Sequence, residues 1–219
     1  MDEIWERIHS EREWGKYPSE IVIRFIARNY YGSPERSKVK ILDFGCGAGA
    51  NTWYMAREGF DVYAFDGSSS AVKRVEKYLE AERLNAKLSV QDGINIQYPD
   101  DFFDAVVDNV CIYANPYDKI CIMYQNVFRV LKPGGKMFTA VFGKKTTGYG
   151  LGKMLEKDTF TEITDGPLSD RGISHFYDMD SFKTVLTKNG FSDLDVNTMT
   201  YSDVGSTIEI LFAVASKNG

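Results

Sequence analysis

Short apolar segments alternate with helical segments between residues 39 and 142, and this alternation is the strongest constraint on the fold. We predict strands over 39–45, 61–66, 87–92, 103–109 and 136–142. We predict helices over 50–58, 69–84 and 117–131. Strands that are apolar throughout and alternate with helices form parallel sheets covered on both faces. The sequence therefore predicts an α/β fold.

The C-terminal part of the chain adds one helix and two strands. We predict the helix over 181–189 and the strands over about 192–200 and 207–215. Because only the short turn SDVGS joins these two strands, they must pair antiparallel. The preceding segment, 143–177, is rich in Gly, Thr and Lys and has few periodic runs. We expect it to be a long irregular segment, and such segments are commonly functional lids or disordered.

Composition disfavours several classes of function. The net charge of -5 argues against general nucleic-acid binding, which needs a basic surface. The 3 cysteines form no C-x-x-C pair and there are 2 histidines, so we expect no metal site. The N-terminal segment lacks the apolar region of a signal peptide, and the run IEILFAVA is too short to cross a bilayer. We therefore predict a cytoplasmic protein that does not associate with membranes.

The stretch ILDFGCGAGANT at residues 41–52 fits two ligand-binding templates. Gly45, Gly47 and Ala50 satisfy G-x-G-x-x-G/A, which is typical of dinucleotide sites. Gly45, Gly47 and Gly49, with Asp43 before them, satisfy D-x-G-x-G-x-G. A dinucleotide needs backbone N–H groups that face its pyrophosphate, and a carboxylate at that place is unhelpful. The glycines alone leave both templates open.

Three aspartates decide between the templates. Asp43 precedes the loop, Asp66 ends the second predicted strand, and Asp92 ends the third. These positions lie at the edge where α/β sheets bind ligands. S-adenosylmethionine has no phosphate and carries a cationic sulfonium and an ammonium, so a carboxylate near the loop suits it. Asp66 can accept both ribose hydroxyls, and Asp92 can accept the adenine amino group. The set therefore favours S-adenosylmethionine over NAD.

With these residues the sequence resembles the class I S-adenosylmethionine-dependent methyltransferases, in particular the small methyltransferase type 11 group. The resemblance runs from about Val39 to Val214 and is carried by ILDFGCGAG, VYAFDGSSSAV, VQDGINIQYPDDFFDAVVDN, VFRVLKPGGKMF and HFYDMDSFKTVLTKNGF. It implies an α/β Rossmann-like fold with a seven-stranded sheet in the order 3-2-1-4-5-7-6, strand 7 antiparallel and helices on both faces. The implied single domain, 1–219, divides into a helical lid at 1–35, a cofactor-binding core at 36–142, an acceptor-side insertion at 143–177, and a C-terminal helix and strand pair at 178–219.

The resemblance also implies where S-adenosylmethionine binds, with S-adenosylhomocysteine as the product. Asn109, at the end of the fourth strand, would face the transferred methyl group. Trp14 or Tyr17 in the lid can cover the sulfonium with a ring face, or can instead pack the next helix, 19–29, against the sheet. Cys46 lies inside the loop as a small residue without a catalytic role. The predicted cofactor-binding residues are Trp14, Tyr17, Asp43, Gly45, Cys46, Gly47, Gly49, Asn51, Asp66, Gly67, Ser68, Asp92, Gly93 and Asn109.

Few residues can serve as a catalytic base for an acceptor that loses a proton. His175 stands just before the last helix and titrates in a suitable pH range, but it can equally be a rim histidine that binds backbone. Tyr113, after the fourth strand, is a second catalytic candidate or a wall of the acceptor pocket. His9 is expected to be solvated or part of the lid. Three lysines of the insertion could attract an anionic acceptor, although such charges are commonly solvated; they are Lys144, Lys145 and Lys153.

The predicted function is transfer of a methyl group to an oxygen or nitrogen atom of a small molecule, such as a sugar or a secondary metabolite. Two alternatives stay open. A tRNA- or protein-modifying methyltransferase would need a basic stripe beside the pocket. A catalytically inactive, cofactor-binding partner subunit would have an occluded acceptor pocket. The sequence does not indicate the oligomeric state, and a homodimer is compatible with it.

Overall fold

The computed structural model describes residues 3–12 and 14–218, so residues 1, 2, 13 and 219 of the predicted domain lie outside the described residues. The α-helices of this part are α1 (Glu3–Glu11), α2 (Glu20–Tyr30), α3 (Ala50–Arg57), α4 (Ser69–Ala81), α5 (Tyr117–Val130) and α6 (Met179–Lys188). The strands are β1 (Lys40–Phe44), β2 (Asp61–Asp66), β3 (Lys87–Val90), β4 (Phe103–Asn109), β5 (Leu131–Phe142), β6 (Lys153–Glu156), β7 (Thr159–Thr161), β8 (Ser174–His175), β9 (Ser192–Asp203) and β10 (Ser206–Ser216).

The main sheet confirms the predicted fold class and strand order. It has seven strands in the order β3-β2-β1-β4-β5-β10-β9. Neighbouring strands from β3 to β5 pair parallel, whereas β10 pairs antiparallel with both β5 and β9. The loops that follow β1 to β4, and the end of β5, therefore lie along one edge of the sheet.

Alternating side chains of β1 show why helices cover both faces of the sheet. Ile41 packs in a cluster with Val22 and Ile26 of α2, whereas Leu42 packs in the opposite cluster with α5 and α6. Successive strand side chains point to opposite faces, so both faces of β1 are buried. In α2 the buried residues recur at helical spacing, and full burial of each large apolar side chain contributes about 1.5–3 kcal/mol.

The segment 143–177 is more regular than the sequence analysis predicted. It contains a three-stranded antiparallel sheet in the order β6-β7-β8, and Phe160, Ile163 and Leu168 join the main core. Its strands are only 4, 3 and 2 residues long. Strands this short are not recognisable from a two-residue period of apolar side chains.

Helix α6 begins at Met179, two residues before the predicted start, because Asp178 caps it. Oδ1 of Asp178 accepts the Ser181 N–H at 2.8 Å, and the Ser181 hydroxyl oxygen accepts the Asp178 N–H at 3.0 Å. This reciprocal pair is a capping box. It fixes the chain direction where the insertion returns to the main domain.

Other properties of the described residues bear on function. No helix among them is long and apolar enough to span a membrane. No group of three or more His, Cys, Asp or Glu side chains in this part could hold a metal ion. The cysteines, Cys46, Cys111 and Cys121, are free thiols.

Candidate functional site

The loop after β1 contains three glycines in the left-handed backbone region. Gly45, Gly47 and Gly49 have φ angles of +69°, +50° and +89°. A Cβ atom at Gly45 would lie 2.0 Å from Sγ of Cys111, and one at Gly49 would lie 2.7 Å from Cγ2 of Val75. A larger residue at either position would therefore be strained and would collide with its neighbour. The glycines permit a tight turn whose backbone faces a cavity.

A cavity of about 290 Å³ lies over this loop, at the carboxyl ends of β1 to β5. This edge is where open α/β sheets bind ligands. The predicted site residues that line it are Trp14, Tyr17, Gly45, Cys46, Gly47, Gly49, Asn51, Asp66, Gly67, Asp92, Gly93, Asn109 and Tyr113. Three residues predicted for the site do not line it: Asp43, Ser68 and His175.

Asp66 ends β2 and is held in one orientation by two backbone groups. Its Oδ2 accepts the Gly47 N–H at 2.9 Å, and its Oδ1 accepts the Ser68 N–H at 2.8 Å. Each carboxylate oxygen has a further lone pair, so both can still accept a ligand hydroxyl. Beyond β3, Asp92 accepts the Ile94 N–H at 3.2 Å and caps a short 3-10 helix. The two carboxylates thus border one side of the cavity.

Asp43 supports the loop from behind. The prediction that it faces the cavity is wrong. Its side chain is 1% exposed, and its Oδ2 accepts the Thr52 hydroxyl of α3 at 2.5 Å. Its other oxygen has no hydrogen-bond partner in the structure described here. Burial raises the pKa of Asp43 to about 6, although Thr52 and Asn51 stabilise the carboxylate. Asp43 therefore anchors α3 beneath the glycine loop.

Ser68 also serves the fold instead of lining the cavity. Its hydroxyl oxygen accepts the Ala71 N–H at 3.1 Å at the start of α4, and the hydroxyl donates to Oε2 of Glu6 at 2.5 Å. The Ser70 hydroxyl donates to Oε1 of Glu6 at 2.5 Å. These hydrogen bonds lower the pKa of Glu6. A carboxylate at a helix N-terminus is favourable, so this contact docks α1 onto α4.

His9 is buried, and the expectation that it is solvated is wrong. It is 6% exposed, its ring lies 5.6 Å from that of Trp14, and a Cβ at Gly47 would lie 3.4 Å from its Cε1. Burial lowers the pKa of His9, so the folded protein favours the neutral ring. The signal that was missed is the helical spacing of Trp5, Ile8 and His9, which places them on one face of α1.

The segment between α1 and α2 covers part of the cavity. Trp14 and Tyr17 both line it. Tyr17 lies at the rim, since it is 77% exposed and its ring meets that of Trp53 edge-on at 5.6 Å. Trp14 lies deeper, where its Nε1 is buried.

Several buried polar atoms of the cavity wall have no hydrogen-bond partner among the described residues. They are His9 Nδ1, Trp14 Nε1, Ser19 Oγ and Asn51 Oδ1. Buried polar groups are nearly always paired, and each unpaired group costs about 1–3 kcal/mol. An indole N–H can only donate and an amide oxygen can only accept. The wall is therefore suited to a polar ligand with both acceptors and donors.

The chain after β4 is fixed by the buried carboxylate of Asp108. Its Oδ1 accepts the N–H groups of Cys111 and Ile112 at 3.0 and 3.1 Å, and its Oδ2 accepts the Thr139 hydroxyl at 2.7 Å. Burial raises the pKa of Asp108 to about 6. These bonds hold Val110 at a φ of +55°. Asp108 thereby sets the path of the chain from Asn109 into the cavity wall.

Tyr113 and Phe142 form an apolar wall over β4 and β5. Their ring centroids lie 4.9 Å apart in an edge-on arrangement, and both residues line the cavity. Burial raises the pKa of the Tyr113 phenol, so at neutral pH it can donate a hydrogen bond and does not act as a base. Arg171 of the insertion also lines the cavity. The sequence analysis did not predict that Arg171 lines the cavity, because nothing in the local sequence marks it.

His175 lies in the packed interior of the insertion. It is 5% exposed, and its Nδ1 lies 2.6 Å from the Thr159 hydroxyl oxygen. Its ring packs 5.3 Å from Tyr117 and 4.5 Å from Tyr177. Burial lowers the pKa of His175 to about 4. This geometry is that of a neutral core histidine and does not support the predicted catalytic role.

Two of the three insertion lysines are engaged in ion pairs. Lys144 pairs with Asp158 at 2.9 Å and with Asp178 at 2.8 Å. Lys145 pairs with Glu209 at 3.1 Å. None of the three lysines lines the cavity. The structure therefore gives them no contact with a ligand at this site.

Comparison with known proteins finds similarity to methyltransferases. Residues 41–135 match the family described as a methyltransferase domain. Phosphoethanolamine N-methyltransferase 2 of Caenorhabditis elegans is 32% identical over 112 residues, which cover 50% of this chain and 24% of that protein. The mitochondrial ubiquinone biosynthesis O-methyltransferase of Bos taurus is 27% identical over 191 residues, which cover 83% of this chain and 48% of that protein. The chain thus spans less than half the length of either relative.

A solved structure from Methanosarcina mazei, described as a SAM-dependent methyltransferase, shares the fold. It aligns with a TM-score of 0.72 at 22% identity, over 92% of this chain and 99% of that one. The likeness therefore extends beyond the matched segment to the helix and strand pair at the C-terminus.

Proposed function

We propose that the protein is an S-adenosylmethionine-dependent methyltransferase of small molecules, because residues 41–135 match the methyltransferase domain family and the chain shares the fold of a solved methyltransferase. The acceptor atom is an oxygen or a nitrogen. One observation carries the proposal: the left-handed glycine loop, Asp66 and Asp92 meet in one cavity at the carboxyl edge of the sheet.

The side chains of the cavity fit the chemistry of S-adenosylmethionine. Asp66 would accept the ribose hydroxyls, and Asp92 would accept the adenine amino group. The unpaired indole N–H of Trp14 would donate to the carboxylate of the methionine end, and the unpaired amide oxygen of Asn51 would accept from its ammonium. The glycine loop would contact the same end through its backbone.

When bound, S-adenosylmethionine would supply an electrophilic methyl group. A lone pair of the acceptor would form the new bond to the methyl carbon, and the electron pair of the broken bond would stay on sulfur. The contribution of the chain is to orient the acceptor and to exclude water. Tyr113 and Phe142 would form the apolar wall, and Trp14 would cover the cavity. An amine bound in its neutral form needs no base, whereas a hydroxyl would lose its proton to a base or to water.

The alternatives fit the site less well. A tRNA- or protein-modifying enzyme would need a basic stripe beside the cavity, but Lys144 and Lys145 are already paired with carboxylates. An inactive partner subunit would have an occluded acceptor space. Here the cavity continues past Asn109 to Tyr113 and Phe142.

The proposal includes the predicted division of the chain and its location. Contacts of α1 with α4 and of Trp14 with the cavity support a lid function for residues 3–12 and 14–35. Free thiols at all 3 cysteines are compatible with the reducing cytoplasm. Fractionation of the native host with an antibody to the chain would test the location.

Calorimetric titration separates these functions. We expect S-adenosylmethionine and S-adenosylhomocysteine to bind and NAD not to bind. Binding of NAD alone would overturn the proposal. Transfer of a labelled methyl group from S-adenosylmethionine is then screened over metabolites, bulk tRNA and a cell-protein extract. Transfer confined to tRNA or protein would support the alternative enzyme class, and cofactor binding without any transfer would support the inactive subunit.

A further inference from the structure

Charge is segregated along the cavity. The carboxylates of the described residues that line it lie on one side, Asp66 at the end of β2 and Asp92 just beyond β3. Among the described residues that line it, Arg171 is the one arginine, and there is no lysine. Arg171 comes from the insertion and shares the cavity with residues that follow β4 and β5. The anionic side suits the proposed cofactor, so the cationic side is left for the acceptor.

The surroundings of Arg171 leave its guanidinium available to a ligand. Its Cζ lies 5.4 Å from the ring centroid of Trp14, a cation–π contact that orients the group. No carboxylate of the described residues forms an ion pair with it, and it makes no side-chain hydrogen bond to them. Lys144 and Lys145 of the same insertion are both paired. Arg171 therefore differs from these two lysines in having no anionic partner among the described residues.

The positive charge of Arg171 also acts on the apolar wall, at Tyr113. Burial raises the pKa of Tyr113, and the strongest opposing influence is the positive charge of Arg171. Trp14 contacts the guanidinium, and Tyr113 and Phe142 line the same cavity with further aromatic rings. An apolar setting of this kind strengthens a charged hydrogen bond, because little water competes for the donor groups.

We propose that Arg171 binds an oxyanion, a carboxylate or a phosphate, carried by the methyl acceptor. The planar guanidinium can donate two parallel hydrogen bonds to either group, which fixes orientation as well as position. The acceptor is then a small anionic molecule whose nucleophilic oxygen or nitrogen is directed away from Arg171, toward Asn109. This assignment rests on the proposed methyltransferase function.

The main competing assignment is the carboxylate of the cofactor itself. Calorimetry with S-adenosylhomocysteine and with methylthioadenosine, which lacks the carboxylate, separates the two. For Arg171→Gln we expect affinities for both within about twofold of wild type. A loss of tenfold or more confined to S-adenosylhomocysteine would assign Arg171 to the cofactor and overturn the proposal. Lys145→Gln, which removes a cation of the insertion outside the cavity, is the matched control.

The acceptor is tested with matched sets of amines and phenols, each made as a carboxylate, a phosphate and a neutral methyl ester. We expect transfer to the carboxylate or the phosphate and little to the ester, and the preferred member identifies the source of the oxyanion. Arg171→Gln should raise KM for that substrate about 10- to 100-fold, as expected for lost charged hydrogen bonds, and change kcat less. Equal use of the esters, or an unchanged KM, would overturn the proposal.

If no member of the sets is methylated, the proposal is tested by measuring anion binding directly. Benzoate and inorganic phosphate are titrated into the wild type loaded with S-adenosylhomocysteine and followed by NMR. Saturable binding of either that is lost in Arg171→Gln supports the proposal. No binding, or equal binding in the variant, overturns it. Failure of the wild type to bind S-adenosylhomocysteine at all would instead refute the methyltransferase function.

Discussion

Replacing His175 by asparagine should change how the free energy of unfolding depends on pH. The imidazole is 5% exposed, and burial lowers its pKa from the usual 6.5 to about 4. Asparagine keeps a polar atom near the position of Nδ1, which lies 2.6 Å from the Thr159 hydroxyl oxygen. It does not titrate. Any loss of packing in the variant is therefore the same at every pH, and only the proton linkage differs.

The sign and size of the effect follow from that pKa. Between pH 6.5 and 4 the unfolded chain binds a proton at His175 and the folded protein does not, so the wild type loses stability as the pH falls. At about 1.4 kcal/mol per pKa unit the loss reaches roughly 2 kcal/mol at pH 5. Asp43 and Asp108 act oppositely, because burial raises both pKa values to about 6 and folding then favours the protonated forms. The wild type and the variant share the contribution of these two aspartates to the pH dependence, so it cancels when their free energies of unfolding are compared.

The assay is urea unfolding of the wild type and His175→Asn at pH 7.5 and 5. The stability of the wild type relative to the variant should fall by about 2 kcal/mol between the two pH values. A difference that does not change with pH would refute the argument, as would an imidazole that titrates near 6.5 by NMR in the folded protein. If the proposed methyltransferase activity is found in the wild type, the variant should keep it, which a catalytic His175 would not allow.

Three further substitutions test the site and its frame. Asp66→Asn should weaken S-adenosylmethionine binding about 10- to 100-fold by calorimetry, whereas Asp100→Asn should not, since Asp66 borders the cavity and the exposed Asp100 does not. Gly49→Ala should destabilise the protein in a thermal melt by about 1–3 kcal/mol more than Gly59→Ala. The two glycines have similar φ angles, +89° and +85°, but only at Gly49 would the added Cβ collide with a neighbour, Val75. Asp108→Ala should lower the free energy of unfolding in urea by about 3 kcal/mol or more, since it removes the acceptor of three buried donors, and an unchanged value would contradict its anchoring role.

The main sheet was predictable because its parallel strands are buried on both faces and therefore read as apolar runs. The order of the strands came from the family resemblance, and the seven-stranded sheet agrees with it. The insertion was not predictable in the same way. Its strands of 2 to 4 residues are held by neighbours distant in sequence, such as Phe176, whose N–H donates to the Asp158 carbonyl. Such contacts between residues distant in sequence cannot be predicted from local sequence patterns.

The site was predictable where a residue's place follows from strand geometry. Asp66 ends β2 and Asp92 lies two residues beyond the neighbouring β3, so the sheet brings them to one edge. Asp43 was assigned to the cavity because it precedes the glycines, yet its position in β1 argues otherwise. Successive side chains of a strand alternate, so Asp43 shares the face of Ile41, which packs with α2 and lies under α3. The alternation, applied to Asp43, would have placed it behind the loop.

Arg171 shows why charge alone does not identify a ligand-binding residue. The sequence drew attention to Lys144, but Lys144 joins Asp158 to Asp178 and so ties the insertion to the start of α6. Its hydrogen bond lowers the pKa of Asp178, as expected for a carboxylate whose partner is part of the fold. A cation with two carboxylate partners would have to break those pairs before it could bind a substrate. Arg171 has no such partner among the described residues, so an anionic acceptor can bind it without a compensating loss elsewhere.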